Sequence, residues 1–150
     1  MSAGGRGAGP ASTITSYEDS HFDGVARLWE AVFPGDPPWN RAEQAIPEKL
    51  AVQPELFLVA EQDGDVIGTA MAGYDGHRGW LYSVAVRPDL QRNGIGSALV
   101  AEAEKRLATL GCRKVNLQIR AGNDAVAAFY RRHDYEVEDR ISMGKRFERR

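Results

Sequence analysis

The chain of 150 residues has one cysteine, no long apolar run and no large excess of charge of either sign. Because Cys112 has no second cysteine to pair with, no disulfide forms within the chain. No stretch approaches the roughly 20 apolar residues that a membrane helix requires. The formal net charge is -2, without the basic run that favours nucleic acid. We expect a cytoplasmic protein without a membrane span, a nucleic-acid partner or a metal site.

The size and composition of the chain fit one globular domain with a sizeable core, since 43% of its residues are hydrophobic and 27% are charged. Residues 1–12 are rich in glycine, alanine and serine and lack the apolar core of a secretory signal. We therefore expect a flexible N-terminal tail over residues 1–12 and a single domain over residues 13–150.

Apolar spacing predicts four helical stretches. The first is capped by Ser20, and the second covers 40–52 and is interrupted by Pro47. The third is long and lies between Gly94 and Gly111, and the fourth extends from Asn123 to about His133. Strand patterns occupy residues 13–16, 56–62, 66–74, 80–86 and 114–120, with two more short pieces within 135–147. The order predicts an α+β fold with a mixed, mostly antiparallel sheet of six to seven strands, flanked by about four helices.

A glycine-containing loop, VRPDLQRNGIGS over residues 86–97, separates a predicted strand from the long helix. Glycines let backbone amides approach an anion closely, and the helix adds unpaired amides and the positive end of its dipole. Hydrogen bonds to a charged group contribute roughly 1.5–3 kcal/mol each, so several of them can hold a pyrophosphate. A tight turn without a ligand needs similar glycines, so the spacing alone leaves both interpretations open.

Other phosphate-binding loops match this segment less well. The P-loop pattern requires lysine followed by serine or threonine after its last glycine, where this chain has Ser97-Ala98. The dinucleotide pattern requires a third glycine near position 99, where Leu99 stands. A nucleotide-binding fold with phosphates on this loop stays an alternative hypothesis.

Two segments carry a resemblance to the GNAT superfamily of N-acetyltransferases. SVAVRPDLQRNGIGSALV is similar to the family's acyl-CoA loop, with its QxxGxG signature at Gln91, Gly94 and Gly96. NDAVAAFYRRHDYE, which begins at Asn123, is similar to the family's Asn-helix-Tyr signature. The likeness extends from about Thr13 to Phe147. The segments PWN, LFLVAE, GYDGHRG and GCRKVNLQI further resemble a group of small bacterial acetyltransferases with poorly defined substrates.

The resemblance implies a GNAT-like fold, acetyl-CoA as cofactor and transfer of the acetyl group to an amine. It implies that backbone amides of the strand pair with the pantetheine arm, that the loop holds the pyrophosphate, and that the fourth helix contributes two further contacts. The implied cofactor-binding residues are Val84, Ala85, Val86, Gln91, Arg92, Asn93, Gly94, Ile95, Gly96, Ser97, Asn123 and Tyr130. Core packing of the valine side chains is compatible with that role.

Transfer to an amine requires the amine to be neutral, which for a lysine-like amine of pKa ~10.4 costs about 4.6 kcal/mol at pH 7. The resemblance implies Tyr130 as the general acid that protonates the departing thiolate. A partly buried structural tyrosine is the alternative role. Asp134 stands where the family has glycine, and aspartate tolerates the left-handed backbone of that position.

The general base is less evident, because several relatives carry glutamate where this chain has Gln118. A water relay, a carboxylate such as Asp75, or an acceptor amine that is already largely neutral would each meet the need. Asp75, as the base, and Tyr82 are further candidate catalytic residues, and both lie in GYDGHRGWLY, a segment that equally fits a hairpin turn. Gln118 also leaves open an acyl-CoA-binding regulatory or sensor module with little catalysis.

Four residues are candidates for binding the acceptor, namely Trp29, Trp39, Tyr74 and His77, although the helical spacing of Trp29 also suits the core. The acceptor itself stays open among N-terminal peptides, amino acids, polyamines and antibiotics. Exposed sheet edges in such domains often pair, which makes a homodimer the oligomer to test.

Overall fold

The computed structural model describes residues 12–147, so residues 1–11 of the predicted tail lie outside the described residues. The chain forms two compact units, Met1–Leu117 and Gln118–Arg150, and each is described by itself. Among the described residues, no helix is long and apolar enough to cross a bilayer. No three histidine, cysteine or acidic side chains within 12–147 are grouped to hold a metal ion.

The first unit is built on one mixed sheet of five strands. They are β1 (Ser12–Ser16), β2 (Phe57–Gln62), β3 (Asp65–Tyr74), β4 (Gly79–Val86) and β5 (Val115–Asn116). Their order in space is their order in the chain. Neighbours run antiparallel, except that β4 and β5 are parallel. The α+β class is confirmed, whereas six to seven strands was too many for the described chain.

A tight turn joins β2 to β3, as the sequence predicts. Asp63 and Gly64 both adopt positive φ angles, 53° and 83°, which are the angles of a two-residue hairpin turn. Ala60, in β2, then pairs with Gly68 in β3. The register shifts by one residue between the Glu61–Val66 and Ala60–Gly68 pairs, so the turn and this irregularity together set which residues of β3 face each side of the sheet.

Four α-helices complete the described fold, α1 (Phe22–Val32), α2 (Ala42–Leu50), α3 (Ile95–Thr109) and α4 (Asp124–Arg131). The prediction that Ser20 caps the first helix was wrong. Glu18 caps a short 3-10 turn over Asp19–His21 instead, with its amide donating to His21 Nδ1 at 2.9 Å. The second helix begins after Arg41 rather than Asn40, and Pro47 lies inside it.

The two faces of the sheet carry different helices. Residues of α1 and α2 form one core with the sheet, a cluster that includes Val25, Leu28, Trp29, Ile46, Phe57, Val59 and Met71. Thr69 bonds to Trp29 of α1, whereas its neighbour Gly68 lies against Leu99 of α3. Because adjacent residues in a strand point to opposite faces, α3 covers the other side of the sheet.

In the second unit, α4 is capped by Asn123, whose Oδ1 accepts the amide of Val126 at 3.4 Å. Asp134 follows the helix with a φ of 70°, the left-handed conformation expected for it.

The strand predicted over 114–120 is reduced to Val115–Asn116, and the described residues of 135–147 contain no strand. Val137 and Ile141 there are 77% and 90% exposed. An alternating pattern predicts which side chains share a face, but a strand also needs a neighbouring backbone to bond with. Within the described residues, no backbone forms a ladder with this segment.

Candidate functional site

Within residues 12–147, one edge of β4 has no strand partner over most of its length, and we call it the open edge. The strand pairs with β3 from end to end, but with β5 only at Gly79 and Trp80. The amide of Arg87 donates to Ile67 of β3 at 2.8 Å, whereas the carbonyl of Val86 points away and accepts Gln91 Nε2 at 3.2 Å. Backbone groups alternate along an antiparallel pair, so the amides of Val84 and Val86 face the open edge. Such a row of amides and carbonyls can bind an extended chain that carries its own amides.

A β-bulge lies at the start of this open edge. Thr69 is opposite Ala85 and Met71 is opposite Tyr82, so β4 has one residue more than β3 between these pairs. Ser83, in the bulge, has a φ of 49°. The Thr69 hydroxyl donates to the Ser83 carbonyl at 2.9 Å and accepts Trp29 Nε1 at 2.9 Å. These two hydrogen bonds, one buried and one partly buried, hold the bulge against α1.

The loop after β4 is a compact turn with an exposed outer side. Arg87 makes two bonds to the Asp89 carboxylate, at 2.7 and 3.2 Å, across a 3-10 turn at Pro88–Leu90. The side chain of Gln91 folds back onto β4 through its bond to Val86. Arg92 is exposed and has a φ of 72°. Its guanidinium forms no ion pair within the described chain, which leaves a positive charge on the outer side of the loop.

The N-terminus of α3 follows the loop directly. Gly94 is the N-cap, with a φ of 85°, and the first helical bond joins the Ala98 amide to the Gly94 carbonyl at 3.0 Å. The amides of Ile95 and Gly96 precede that bond and therefore point out of the helix end. The first turn of α3 contains no acidic side chain, so the positive end of the helix dipole is uncompensated. This geometry suits a pyrophosphate.

Gly68 determines how closely α3 approaches the sheet, and the sequence reasoning did not single it out. A Cβ on Gly68 would lie 2.9 Å from Leu99 Cδ1, 3.1 Å from the Ala85 carbonyl oxygen and 3.3 Å from Ile95 Cγ2. The signal in the sequence was a glycine within a strand pattern, which often marks the close approach of another element.

In the second unit, Tyr130 is 7% exposed and lies between Phe129 and Tyr135, with ring centroids 4.9 and 5.5 Å away. Burial raises the pKa of Tyr130 to about 12, so its phenol stays protonated through the physiological range. Gln118 donates its side-chain amide to Ser142 Oγ.

Asp75 holds the turn between β3 and β4. Its carboxylate accepts the amides of Arg78 and His77, both at 2.7 Å, and these bonds lower the pKa of Asp75 below its ordinary value. The group is fully exposed. At the tip of the turn, the Arg78 guanidinium donates a 2.8 Å hydrogen bond to Nε2 of the neighbouring His77. The arrangement favours the turn-forming role of Asp75 over that of a base, which needs a pKa near the working pH.

The structure does not bring the four acceptor-binding candidates together. Trp29 is 4% exposed within the core, and Trp39 is 40% exposed on a separate 3-10 turn. The Tyr74 hydroxyl is directed towards Gly111 at the end of α3, on the face opposite Tyr82. Tyr82 instead lies with Lys49, which the sequence reasoning did not consider.

Comparison with known proteins identifies relatives along most of the chain. Residues 22–135 match the Acetyltransferase (GNAT) family. An acetyltransferase of Yersinia enterocolitica is 45% identical over 135 residues, covering 89% of this chain and 94% of that protein. Among solved structures, AAC(6')-Iy in complex with a CoA bisubstrate analogue has a TM-score of 0.74 at 20% identity, covering 92% and 99% of the two chains. The PaiA N-acetyltransferase of Thermoplasma acidophilum, in complex with coenzyme A, has a TM-score of 0.74 at 23% identity and 88% and 94% coverage.

Proposed function

Because this chain belongs to the acetyltransferase (GNAT) family, we propose that it moves the acetyl group to a primary amine of a small molecule or peptide, by direct attack in a ternary complex. Family membership makes the chain an acyltransferase with acetyl-CoA as its cofactor. The observation that carries the proposal is the continuity of the open β4 edge with the amide-rich N-terminus of α3.

The cofactor is proposed to lie along this continuous surface. The amides of Val84 and Val86 would bond to the pantetheine arm, as one strand bonds to the next. The pyrophosphate would sit at the N-terminus of α3, where the Ile95 and Gly96 amides and the Arg92 guanidinium supply donors and positive charge. We propose that Asn123 adds a contact to the pantetheine side from α4.

The proposed reaction joins the acceptor nitrogen to the thioester carbonyl carbon. A C–N bond forms, the C–S bond breaks, and the products are the acetylated amine and the CoA thiol. The amine loses one proton and the sulfur gains one, so the reaction needs no further reagent. The protein must place the two reactants together and provide a route for each proton.

Tyr130 is the proposed donor to the sulfur. With a pKa of about 12 in the free protein, the phenol is fully protonated, but complete transfer to a thiolate of reference pKa ~8.5 is uphill. We therefore assign Tyr130 a hydrogen bond that strengthens as negative charge develops on the sulfur. The departing thiolate then takes its proton from solvent, which balances the proton that the amine loses.

For the amine proton we favour a water relay or an acceptor amine that is largely neutral. Gln118 cannot take up a proton, and Asp75 uses its carboxylate in its own turn. The water relay predicts a rate that rises with pH up to the pKa of the acceptor amine, whereas a largely neutral amine predicts a rate that has already levelled off near pH 7.

The experiment that tests the proposal measures thiol release from acetyl-CoA with a panel of amines, amino acids, polyamines and peptides with free N-termini. We expect turnover with at least one class and a ternary-complex kinetic pattern. The second candidate function is an acyl-CoA sensor, which Gln118 in the position of the family's glutamate favours. Tight coenzyme A binding without turnover across the panel would support the sensor and overturn the enzyme.

A further inference from the structure

The outer end of β3 extends beyond β2, and side chains from α2 and the segment after it complete its hydrogen bonds. β2 pairs with β3 no further than Met71. Lys49 Nζ donates to the Ala72 carbonyl at 2.5 Å. Gln53 donates to the Tyr74 carbonyl at 3.0 Å and accepts the Tyr74 amide at 2.9 Å. The half-buried ammonium group of Lys49 therefore lies at the end of β3 that β2 does not cover.

The side chains of Lys49 and Tyr82 approach Gly73 on the face of the sheet that α1 and α2 cover. A Cβ on Gly73 would lie 3.8 Å from Gln53 Oε1, 3.9 Å from Tyr82 Cε2 and 4.0 Å from Lys49 Nζ, which are ordinary contact distances. Tyr82 is 52% exposed, so this group of residues borders solvent. We call Lys49, Gly73 and Tyr82 together the Lys49 pocket.

The ammonium group in this pocket lacks a counter-ion. Among residues 12–147, no carboxylate lies within 4.0 Å of Lys49 Nζ, and its partner is a neutral carbonyl. Burial lowers the pKa of Lys49, and the more distant Glu55 only partly opposes that effect. A half-buried ammonium group with unused donors is a favourable partner for an anionic group.

The pocket lies beside the path proposed for the cofactor. Tyr82 is two residues before Val84, or about 7 Å along the strand. If the pantetheine arm follows β4 from the loop inwards, its acetyl end approaches the bulge at Ser83. An acceptor that reaches the acetyl group from the α1 and α2 face would meet Tyr82 and Lys49.

We propose that the Lys49 pocket binds a carboxylate of the acceptor, so that the enzyme prefers amines that carry a carboxylate group over polycationic amines. This inference rests on the proposed acetyltransferase function. Lys49 is a specificity residue here, since it binds a part of the acceptor distant from the reacting nitrogen. A polyamine or aminoglycoside would place further positive charge beside the Lys49 ammonium.

The test compares matched acceptors that differ in one group, each with a free carboxylate and as its carboxamide. Amino acids and short peptides provide several spacings between amine and carboxylate, and dipeptides keep the amine chemistry nearly constant. For the wild-type chain we expect the best acid to exceed its amide in kcat/KM by about tenfold or more, mainly through KM.

Lys49→Gln should abolish this preference and Lys49→Arg should keep most of it. Lys105→Gln, which removes the same charge from the exposed side of α3, should leave the preference unchanged. Gly73→Leu should raise KM for the acid by placing a large side chain against the ammonium, whereas Gly73→Ala, whose Cβ meets its neighbours at 3.8–4.0 Å, should be tolerated.

Three outcomes are distinguishable. Loss of the acid preference in Lys49→Gln, with amide turnover unchanged, supports the carboxylate subsite. Equal turnover of acid and amide by the wild-type chain, or equal losses for both in Lys49→Gln, assigns Lys49 only to its bond with Ala72 and overturns the inference. No turnover with either member of any pair overturns the inference, and the proposed function falls with it only when the whole amine panel also gives no turnover.

Discussion

Thr69 is a single buried hydroxyl that connects α1 to the bulge of β4. It accepts a hydrogen bond from Trp29 and donates one to Ser83, and it is completely buried. The bulge starts the open edge, so Thr69 shapes the proposed cofactor surface without facing the cofactor. A residue of this kind is invisible to motif searches, because a threonine in a strand fits ordinary strand propensity.

Replacing Thr69 with valine should reduce both stability and cofactor affinity. The change leaves the buried Trp29 N–H and the partly buried Ser83 carbonyl without this partner, at a cost of about 2–4 kcal/mol in total. Urea unfolding measures the stability, and calorimetric titration with coenzyme A measures the affinity. Thr69→Ser, which keeps the hydroxyl, should retain most of both. Equal behaviour of the two variants would show that the hydroxyl is unimportant.

Tyr130→Phe should lower kcat by about 10²–10³-fold while coenzyme A binds with nearly unchanged affinity. The physical reason is that only the phenol hydroxyl is removed, and its proposed hydrogen bond is made as charge develops on sulfur. Rapid-quench measurement of the acetyl-transfer step separates chemistry from product release. A variant that retains wild-type turnover would remove Tyr130 from the mechanism.

The pH profile gives a second measurement of the role of Tyr130. A pKa raised to about 12 keeps the phenol in its protonated, donating form, and this form is lost only as the pH rises through that value. We therefore expect kcat/KM to rise with pH as the acceptor amine becomes neutral, with no decline due to Tyr130 below about pH 10. A decline near pH 8 that disappears in Tyr130→Phe would contradict this expectation.

At the level of secondary-structure elements, the N-terminus of α3 and the loop before it form one structural segment. Gly68 lets the helix approach the sheet, and Gly94 turns the chain so that the first amides point outwards. The position of this loop and the start of α3 were predicted from the sequence, because glycine spacing and the helical period are local signals.

Gly94→Ala should weaken coenzyme A binding more than it weakens the fold. The left-handed φ of 85° disfavours any side chain by about 1 kcal/mol, and relaxation of that strain would move the Ile95 amide. Gly64→Ala is the matched control, since Gly64 has a φ of 83° in the β2 to β3 turn with open space around it. Both variants should lose similar stability in urea, but only Gly94→Ala should raise the Kd for coenzyme A. Equal Kd values would exclude the helix terminus as the pyrophosphate site.

For the molecule as a whole, cofactor binding should appear as added stability. A ligand at 100 times its Kd stabilises the folded state by about 2.7 kcal/mol, which for this chain length raises Tm by roughly 5–11 °C. Thermal unfolding with coenzyme A, ATP and NAD at equal concentrations compares the proposed site with a nucleotide site. We expect the largest shift with coenzyme A. A larger shift with ATP or NAD would contradict the placement of pantetheine along β4.

The parts of the fold that depend on neighbouring residues could be predicted from sequence. The turn at Asp63-Gly64, the extent of α3 and the cap at Asn123 follow from glycine, asparagine and apolar spacing, which act over a few residues. The strands predicted within 135–147 were wrong for the opposite reason. Alternation there is local, whereas pairing needs a distant backbone.

The proposed cofactor loop was therefore available from the order of residues alone, because its donors are successive amides of one short segment. The bulge at Ser83 and the Lys49 pocket were decided by tertiary structure. Thr69 meets Trp29 across 40 residues, and Lys49 reaches the Ala72 carbonyl across 23. Such contacts form only when helices and strands pack together, since side chains so far apart in the chain have no fixed geometry until the core brings them together.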